Sequence, residues 1–158
     1  MGKKDDKTNV MRLAERAKVK FKDYAYDNTV LNGEEVARAL NQPPERVFKT
    51  LVTQAKSGKY YVFMIPVNAE LDLKKAAKAA GEKSVSMLAQ KQLFPLTGYI
   101  HGGCSPIGMK KNFDTFIHKS AEQFETIFFS AGKVGRQIEM SFQDLNKIKS
   151  TKPADLVR

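Results

Sequence analysis

The chain is organised around a glycine-rich stretch that reads TGYIHGGCSPIG, from Thr97 to Gly108, with Lys110 and Lys111 just beyond it. Four of the chain's ten glycines and one proline fall within this stretch. Because glycine lacks a Cβ and proline fixes φ, the stretch predicts a shaped loop whose backbone N–H groups can face a ligand. The two lysines would favour an anionic ligand such as a phosphate or a carboxylate. A plain glycine-rich hairpin with a basic edge is the alternative, and neither the P-loop nor the dinucleotide-binding pattern is present.

The overall composition indicates a globular protein with a polyanionic partner. The 158 residues are enough for one domain with its own core, and 42% of them are hydrophobic. Lysine and arginine together number 27 against 17 acidic residues, which gives a formal net charge of +10. A basic excess of this size makes nucleic acid the first candidate partner.

The few cysteines and histidines exclude several kinds of site. Cys104 is the only cysteine, which excludes an internal disulfide and a cysteine-based zinc site. With only His101 and His118, a Ser-His-Asp triad or a multi-histidine metal site is disfavoured, so we expect no metal and no cofactor. No apolar run reaches membrane-spanning length, and Met1–Lys7 lacks the hydrophobic run of a signal peptide. We therefore expect a cytoplasmic protein without membrane association.

Helical and strand patterns are interspersed along the chain. Four predicted helices each begin at a capping residue, namely Thr8, Asn32, Asp72 or Ser141, and a fifth covers Ala89–Phe94, with Pro95 leading into the loop. The predicted strands are Phe21–Tyr26, Val47–Gln54, Tyr60–Val67, Ser84–Ser86, Phe113–His118, Thr126–Ser130 and Arg136–Met140. This order predicts a single α+β domain over residues 1–158 with a mixed, curved sheet. Residues 1–7 and 150–158 are expected to fray.

One lysine lies inside a predicted buried strand. The strands Val47–Gln54 and Tyr60–Val67 are joined by a glycine-containing turn and predict a hairpin. Lys49 lies early in the first of these strands, on the same face as Val47 and Leu51. Because burying an unpaired ammonium is costly, this side chain must either reach water or meet an anion. The strand pattern alone leaves both readings open.

Four stretches, in this order and spacing, resemble the YbaK family. They are Val47–Leu51, Leu71–Ala77, Thr97–Gly108 and Ser130–Lys133. This family comprises free-standing aminoacyl-tRNA deacylases that are related to the editing insertion of bacterial prolyl-tRNA synthetase. The resemblance covers the chain from about Thr8 to Ile148 and implies a mixed α/β domain. Its sheet would be six-stranded and barrel-like, surrounded by helices.

The resemblance is greatest to the group that deacylates Cys-tRNA(Pro) and Cys-tRNA(Cys), so it implies that activity and aminoacyl-tRNA as the partner. Prolyl-tRNA synthetase would be a candidate protein partner. In this group the substrate's own thiol is thought to attack its ester carbonyl, which expels the tRNA and leaves a thiolactone that water opens. Two alternatives remain: the same fold could deacylate another small aminoacyl-tRNA such as Ala-tRNA(Pro), or the chain could be a non-catalytic RNA-binding or synthetase-adaptor domain.

The resemblance also implies which residues form the site. Lys49 and Gly103 are expected to be catalytic, and Lys110 and Lys111 to contact tRNA. The residues expected to line the aminoacyl pocket are Tyr26, Gly102, Ser105, Pro106, Gly108 and Gln137. Some relatives carry an aspartate where this chain has Gln137, so an acid–base role at that position is in doubt.

Overall fold

The structure is a computed structural model that describes residues 7–30 and 32–158. Its helices begin where the sequence predicts them. They are α1 (Asn9–Arg16), α2 (Gly33–Ala39), α3 (Leu73–Ala80), α4 (Gln90–Thr97) and α5 (Phe142–Ile148), with short 3₁₀ turns at Pro44–Arg46 and Lys119–Gln123. The predicted caps are confirmed, because the side chains of Thr8, Asn32, Asp72 and Ser141 each accept a backbone N–H of the first helical turn.

The strands form two sheets rather than one. They are β1 (Lys22–Ala25), β2 (Phe48–Ala55), β3 (Tyr60–Pro66), β4 (Val85–Met87), β5 (Asp114–His118), β6 (Ile127–Ser130), β7 (Arg136–Met140) and β8 (Thr151–Ala154). A five-stranded sheet has the order β4-β2-β3-β5-β8, and a three-stranded sheet has the order β1-β7-β6. The predicted hairpin is confirmed as the antiparallel pair β2–β3, whereas β5 pairs in parallel with both β3 and β8.

The mixed α+β fold is confirmed, but the number of strands and the single six-stranded sheet are not. The two sheets meet where β2 begins, through a single parallel bridge between Val47 and Phe128. Because this contact is only one residue long, the two sheets do not close into a continuous barrel. The start of β2 therefore lies at the junction between them.

The C-terminal segment corrects the expectation that residues 150–158 fray. β8 pairs with the edge of β5, and the side chain of Leu156 is fully buried. The Leu156 N–H also donates to Nδ1 of His118 at 3.2 Å. Residues 150–158 are mostly polar, with scattered apolar residues, and show no strand pattern. The strand forms because it pairs with β5, which lies more than thirty residues earlier in the chain. At the other end, residues 1–6 of the predicted frayed tail lie outside the described residues, and Lys7 forms an ion pair with Glu15.

The helix before the glycine-rich stretch also differs from its prediction. α4 continues through Pro95 to Thr97 and ends at Gly98, which adopts a left-handed conformation. Pro95 is the sixth residue of α4 and has no N–H to donate, so the helix lacks the backbone hydrogen bond to the Lys91 carbonyl at that point. Within the described residues, no helix has the length and apolar character needed to cross a bilayer.

Candidate active site

A cleft of about 300 Å³ opens at the junction of the two sheets, and we call it the Lys49 cleft. Its floor is the start of β2, from Val47 to Leu51, and α2 contributes its N-terminal residues. His101, Gly102 and Cys104 of the glycine-rich loop form one wall, while β6 and β7 supply Ser130 and Gln137. Tyr26, just after β1, completes it. Four of the predicted site residues therefore come together here: Tyr26, Lys49, Gly102 and Gln137.

Lys49 brings a half-buried ammonium into this cleft. Burial lowers the pKa of Lys49 below its ordinary value, and only the fields of Glu70 and Glu34 oppose the shift. Among the residues that the structure describes, the ammonium group of Lys49 has no ion pair and no hydrogen-bond partner. A cation that is partly desolvated and unpaired is a strong attractor for negative charge that enters the cleft.

The same cleft contains two buried oxygens without partners among the described residues. They are Oγ1 of Thr50 and Oε1 of Gln137. Gln137 is only 6% exposed, and its Nε2 makes a long contact of 3.5 Å with the Tyr26 hydroxyl. Burial in turn raises the pKa of Tyr26. A buried acceptor without a donor costs free energy, so these oxygens are suited to receive a donor group of a ligand.

The glycine-rich loop places different amides at the cleft from those expected. The N–H of Gly103 donates to the Ile100 carbonyl oxygen at 2.9 Å, and Gly103 does not line the cleft. A Cβ on Gly103 would lie 3.0 Å from the backbone nitrogen of Val134, so this glycine allows the loop to pack against the neighbouring turn. By contrast, the N–H groups of Gly102 and Cys104 have no acceptor in the described part of the chain. Both residues line the Lys49 cleft, so their amides are donors that a ligand can use there.

The second half of the loop faces a different part of the molecule. Pro106, Gly108, Lys110 and Lys111 line another cleft, of about 280 Å³, which we call the basic groove and which also includes Lys149. Ser105 lines neither cleft and is fully buried, with its hydroxyl accepting the Ile107 N–H at 3.4 Å.

Tyr99 lies at the centre of the fold that the loop adopts. The Tyr99 hydroxyl donates to the Ile107 carbonyl oxygen at 2.5 Å and ties the two halves of the loop together. Gly108 has a φ of +80°, and a Cβ there would lie 2.9 Å from the same hydroxyl. The loop therefore folds back on itself, and residues adjacent in sequence reach separate clefts.

Cys104 lies in the Lys49 cleft but is poorly suited to act as a nucleophile. Its side chain is 9% exposed, and burial raises the pKa of the thiol to about 12. At neutral pH such a thiol is almost entirely protonated, and the reactive form is the thiolate. The described residues also contain no group of three or more metal-binding side chains.

Thr50 and Ser130 are among the residues of this cleft that were not assigned from the sequence. Thr50 directly follows Lys49, and no sequence pattern indicated that its hydroxyl would line the cleft. Ser130 opens a stretch that resembles the family, and its hydroxyl accepts the Gly132 N–H at 3.0 Å. The roles assigned to Lys49 and Gly103, and to the other expected site residues, remain predictions.

A model of the aminoacyl-tRNA editing domain matches residues 27–148. The chain is 50% identical over 141 residues to EbsC of Enterococcus faecalis, a candidate Cys-tRNA(Pro)/Cys-tRNA(Cys) deacylase. The aligned region covers 88% of this chain and 86% of that protein. Two crystal structures share the fold. One is a candidate trans-editing enzyme for prolyl-tRNA synthetase, with a TM-score of 0.81 at 19% identity over 96% of this chain and 98% of that one. The other is a hypothetical protein, with a TM-score of 0.87 at 19% identity over 96% of this chain and 100% of that one. On this evidence, the chain belongs to the aminoacyl-tRNA editing domain family.

Proposed function

We propose that this chain is a free-standing deacylase that removes cysteine from Cys-tRNA(Pro) and acts on Cys-tRNA(Cys) as a second substrate. The observation that carries the proposal is the unpaired, half-buried ammonium of Lys49 beside loop amides without acceptors. The similarity to EbsC supports the choice of substrate. A cytoplasmic location is part of the proposal, because charged tRNA is used there.

The proposed chemistry needs charge stabilisation rather than a protein nucleophile. The thiol of the bound cysteinyl group attacks its own ester carbonyl carbon, and negative charge develops on the carbonyl oxygen. The bond from that carbon to the ribose oxygen then breaks, and the ribose oxygen takes the thiol proton. Lys49 and the amides of Gly102 and Cys104 stabilise the developing charge, an effect that is worth about 10²–10³ in rate for a single donor in other enzymes. Water then opens the thiolactone to free cysteine.

The remaining polar atoms of the cleft orient the aminoacyl group. The α-ammonium of a cysteinyl ester is a hydrogen-bond donor. Oε1 of Gln137 and Oγ1 of Thr50 are acceptors, and neither receives a hydrogen bond from the described residues. Placing the ammonium there fixes the thiol relative to the carbonyl, and orientation of this kind contributes strongly to an intramolecular reaction. An amide can hold the ammonium as a hydrogen-bond acceptor, so a carboxylate is not required at position 137.

Deacylation assays on purified protein test this proposal. Cys-tRNA(Pro), Ala-tRNA(Pro) and Ser-tRNA(Pro) are supplied at equal concentrations, with and without prolyl-tRNA synthetase. We expect rapid loss of cysteine, and slow loss of serine and alanine because they lack the thiol. Preference for Ala-tRNA(Pro) would identify an editing domain for another residue. Binding of tRNA without hydrolysis of any substrate would identify an adaptor domain and refute the proposal.

A further inference from the structure

A long acid-free segment leads into the Lys49 cleft. From Lys83 to Phe113 the chain contains four lysines and no aspartate or glutamate. The segment spans α4, the glycine-rich loop and the basic groove, so one sign of charge dominates the surface that it contributes. Such a surface favours a polyanion over a protein partner of mixed charge.

Within this segment, a lysine is held over an exposed aromatic ring. Phe94 is 54% exposed, and Nζ of Lys110 lies 5.3 Å from the centroid of its ring. The Lys110 N–H donates to the Thr97 carbonyl oxygen at 3.0 Å. Its side chain then crosses Gly98, where a Cβ would lie 3.4 Å from the Lys110 Cγ. The end of α4 therefore builds this pair, and we call Phe94 and Lys110 the platform.

The platform adjoins the basic groove and is joined to the Lys49 cleft by a short length of chain. Lys110 also lines the basic groove beside Lys111, and neither lysine has an acidic partner among the described residues. His101, which lines the Lys49 cleft, follows Phe94 by seven positions in the chain. A segment of that length spans at most about 25 Å, so the platform lies within a few nucleotides of the cleft.

We propose that the platform binds the single-stranded 3′ end of the tRNA, with a base stacked on Phe94 and neighbouring phosphates held by Lys110 and Lys111. The inference rests on the proposed function and extends it from the aminoacyl group to the nucleotides that precede it. Stacking on an aromatic ring beside cationic side chains is how proteins bind single strands with little sequence preference. The last nucleotides would then be held while the aminoacyl ester occupies the Lys49 cleft.

Binding of uncharged tRNA over a range of salt concentrations separates the two parts of the platform. Phe94→Ala should weaken binding by roughly 5- to 150-fold without changing the salt dependence. The double variant Lys110→Ala/Lys111→Ala should lower the slope of log K against log salt by about 1.4. Phe94→Tyr should restore affinity, because it keeps the ring. Leu73→Ala and Lys78→Ala, at exposed positions on α3, are the matched controls and should bind as the parent does.

A small substrate distinguishes failure of this inference from failure of the proposed function. Cysteinyl-adenosine carries the ester but no preceding nucleotides, so Phe94→Ala should cleave it at the parent rate while losing activity on Cys-tRNA(Pro). If the parent leaves cysteinyl-adenosine and Cys-tRNA(Pro) intact, the proposed function is refuted. If Phe94→Ala binds tRNA as tightly as the parent, the platform is refuted. Weaker binding of Phe94→Ala to prolyl-tRNA synthetase, with tRNA affinity unchanged, would instead assign the surface to a protein partner.

Discussion

Two cations three residues apart in the chain have opposite surroundings. Arg46 ends the 3₁₀ turn before β2, and Lys49 lies at the start of that strand. The guanidinium of Arg46 forms an ion pair of 3.2 Å with Glu139, donates to the Thr126 carbonyl oxygen at 2.8 Å and lies 5.1 Å from the centroid of the Phe128 ring. Lys49 has none of these partners among the described residues.

The Arg46 cluster consists of Arg46, Glu139, Tyr24 and Thr126, whose side chains form hydrogen bonds with one another. Glu139 also accepts hydrogen bonds of 2.5 Å from the hydroxyls of Tyr24 and Thr126. Burial alone would raise the pKa of Glu139, but these hydrogen bonds and Arg46 outweigh it and hold the pKa below its ordinary value. Each of these charged groups therefore already has partners within the fold, and together they join β1, β6 and β7 to the turn before β2.

The comparison of Arg46 with Lys49 separates a charge that contributes to stability from a charge that is available for chemistry. Removing one partner of a partly buried ion pair is costly because the other charge is left uncompensated, whereas a partly buried charge that is already unpaired tends to lower stability. A charge of the second kind persists when a ligand supplies its partner. This contrast predicts that changes at Arg46 will affect folding and that changes at Lys49 will affect activity.

The largest expected effect is at Lys49. Lys49→Ala should reduce deacylation of Cys-tRNA(Pro) about 10²- to 10³-fold, because it removes the charge that faces the developing oxyanion. Its urea-unfolding midpoint should equal or exceed that of the parent. Lys49→Arg should recover only part of the rate, since a planar fork does not replace a compact ammonium. Near-parental turnover by a folded Lys49→Ala protein would remove this residue from the site.

The reverse outcome is expected at Arg46. Arg46→Met leaves Glu139 without its cation and should lower the free energy of unfolding by about 2–4 kcal/mol, measured by urea denaturation. Deacylation per folded molecule should stay within about twofold of the parent, because the cluster does not line the Lys49 cleft. A selective loss of activity with unchanged stability would show that the cluster is part of the site.

The same cluster predicts a dependence of stability on pH. The pKa of Glu139 is lower in the folded chain than in the unfolded chain, so its contribution is present above the unfolded pKa. That contribution should be lost as the pH falls through the folded pKa. Urea denaturation of the parent and of Glu139→Gln from pH 7 to pH 3 checks this expectation. The stability difference between the two proteins should shrink as the pH falls, and a constant difference would contradict it.

Gly103→Ala should have a smaller, mixed effect. The added methyl would meet the backbone of Lys133 and Val134, which cannot move as freely as a side-chain end, so we expect a loss of about 1–3 kcal/mol in stability. Activity should fall as well, because the loop that carries Gly102 and Cys104 is displaced. Thermal unfolding and deacylation measured on the same samples check both parts. Unchanged stability with lost activity would mean that Gly103 contacts the substrate instead.

The smallest effect is expected at Cys104. Cys104→Ala should deacylate Cys-tRNA(Pro) within about threefold of the parent rate, since a thiol with a pKa of about 12 supplies almost no thiolate. The parent should act slowly on Ser-tRNA(Pro). Loss of activity in a folded Cys104→Ala protein, together with rapid cleavage of Ser-tRNA(Pro) by the parent, would place the nucleophile on the protein.

Much of the fold was predictable because its signals are local. The caps at Thr8, Asn32, Asp72 and Ser141 depend on residues within one helical turn, and the β2–β3 hairpin depends on neighbouring strands. β8 was missed because it is stabilised by pairing with β5, which is distant in sequence, and its own polar residues do not show a strand pattern. The division into two sheets is likewise set by tertiary packing at the Val47–Phe128 bridge.

The site was predictable only where the resemblance named single residues. Lys49, Tyr26, Gly102 and Gln137 come from four separate segments, and no local pattern brings them together. The loop was treated as one wall because its residues are contiguous, but packing around Tyr99 turns its second half toward the basic groove. Residues that are contiguous in sequence do not share a cleft when the chain folds back around a partly buried side chain such as Tyr99.

Nuclear magnetic resonance can detect whether a ligand that enters the cleft meets the ammonium group of Lys49. The probe is an amide-linked analogue of cysteinyl-adenosine, which lacks the cleavable ester, added to protein with isotope-labelled lysine side chains. We expect the side-chain resonances of Lys49 to shift on binding, while those of Lys78 on the exposed face of α3 stay in place. Saturable binding that leaves Lys49 unperturbed would contradict the assignment of this cleft as the active site.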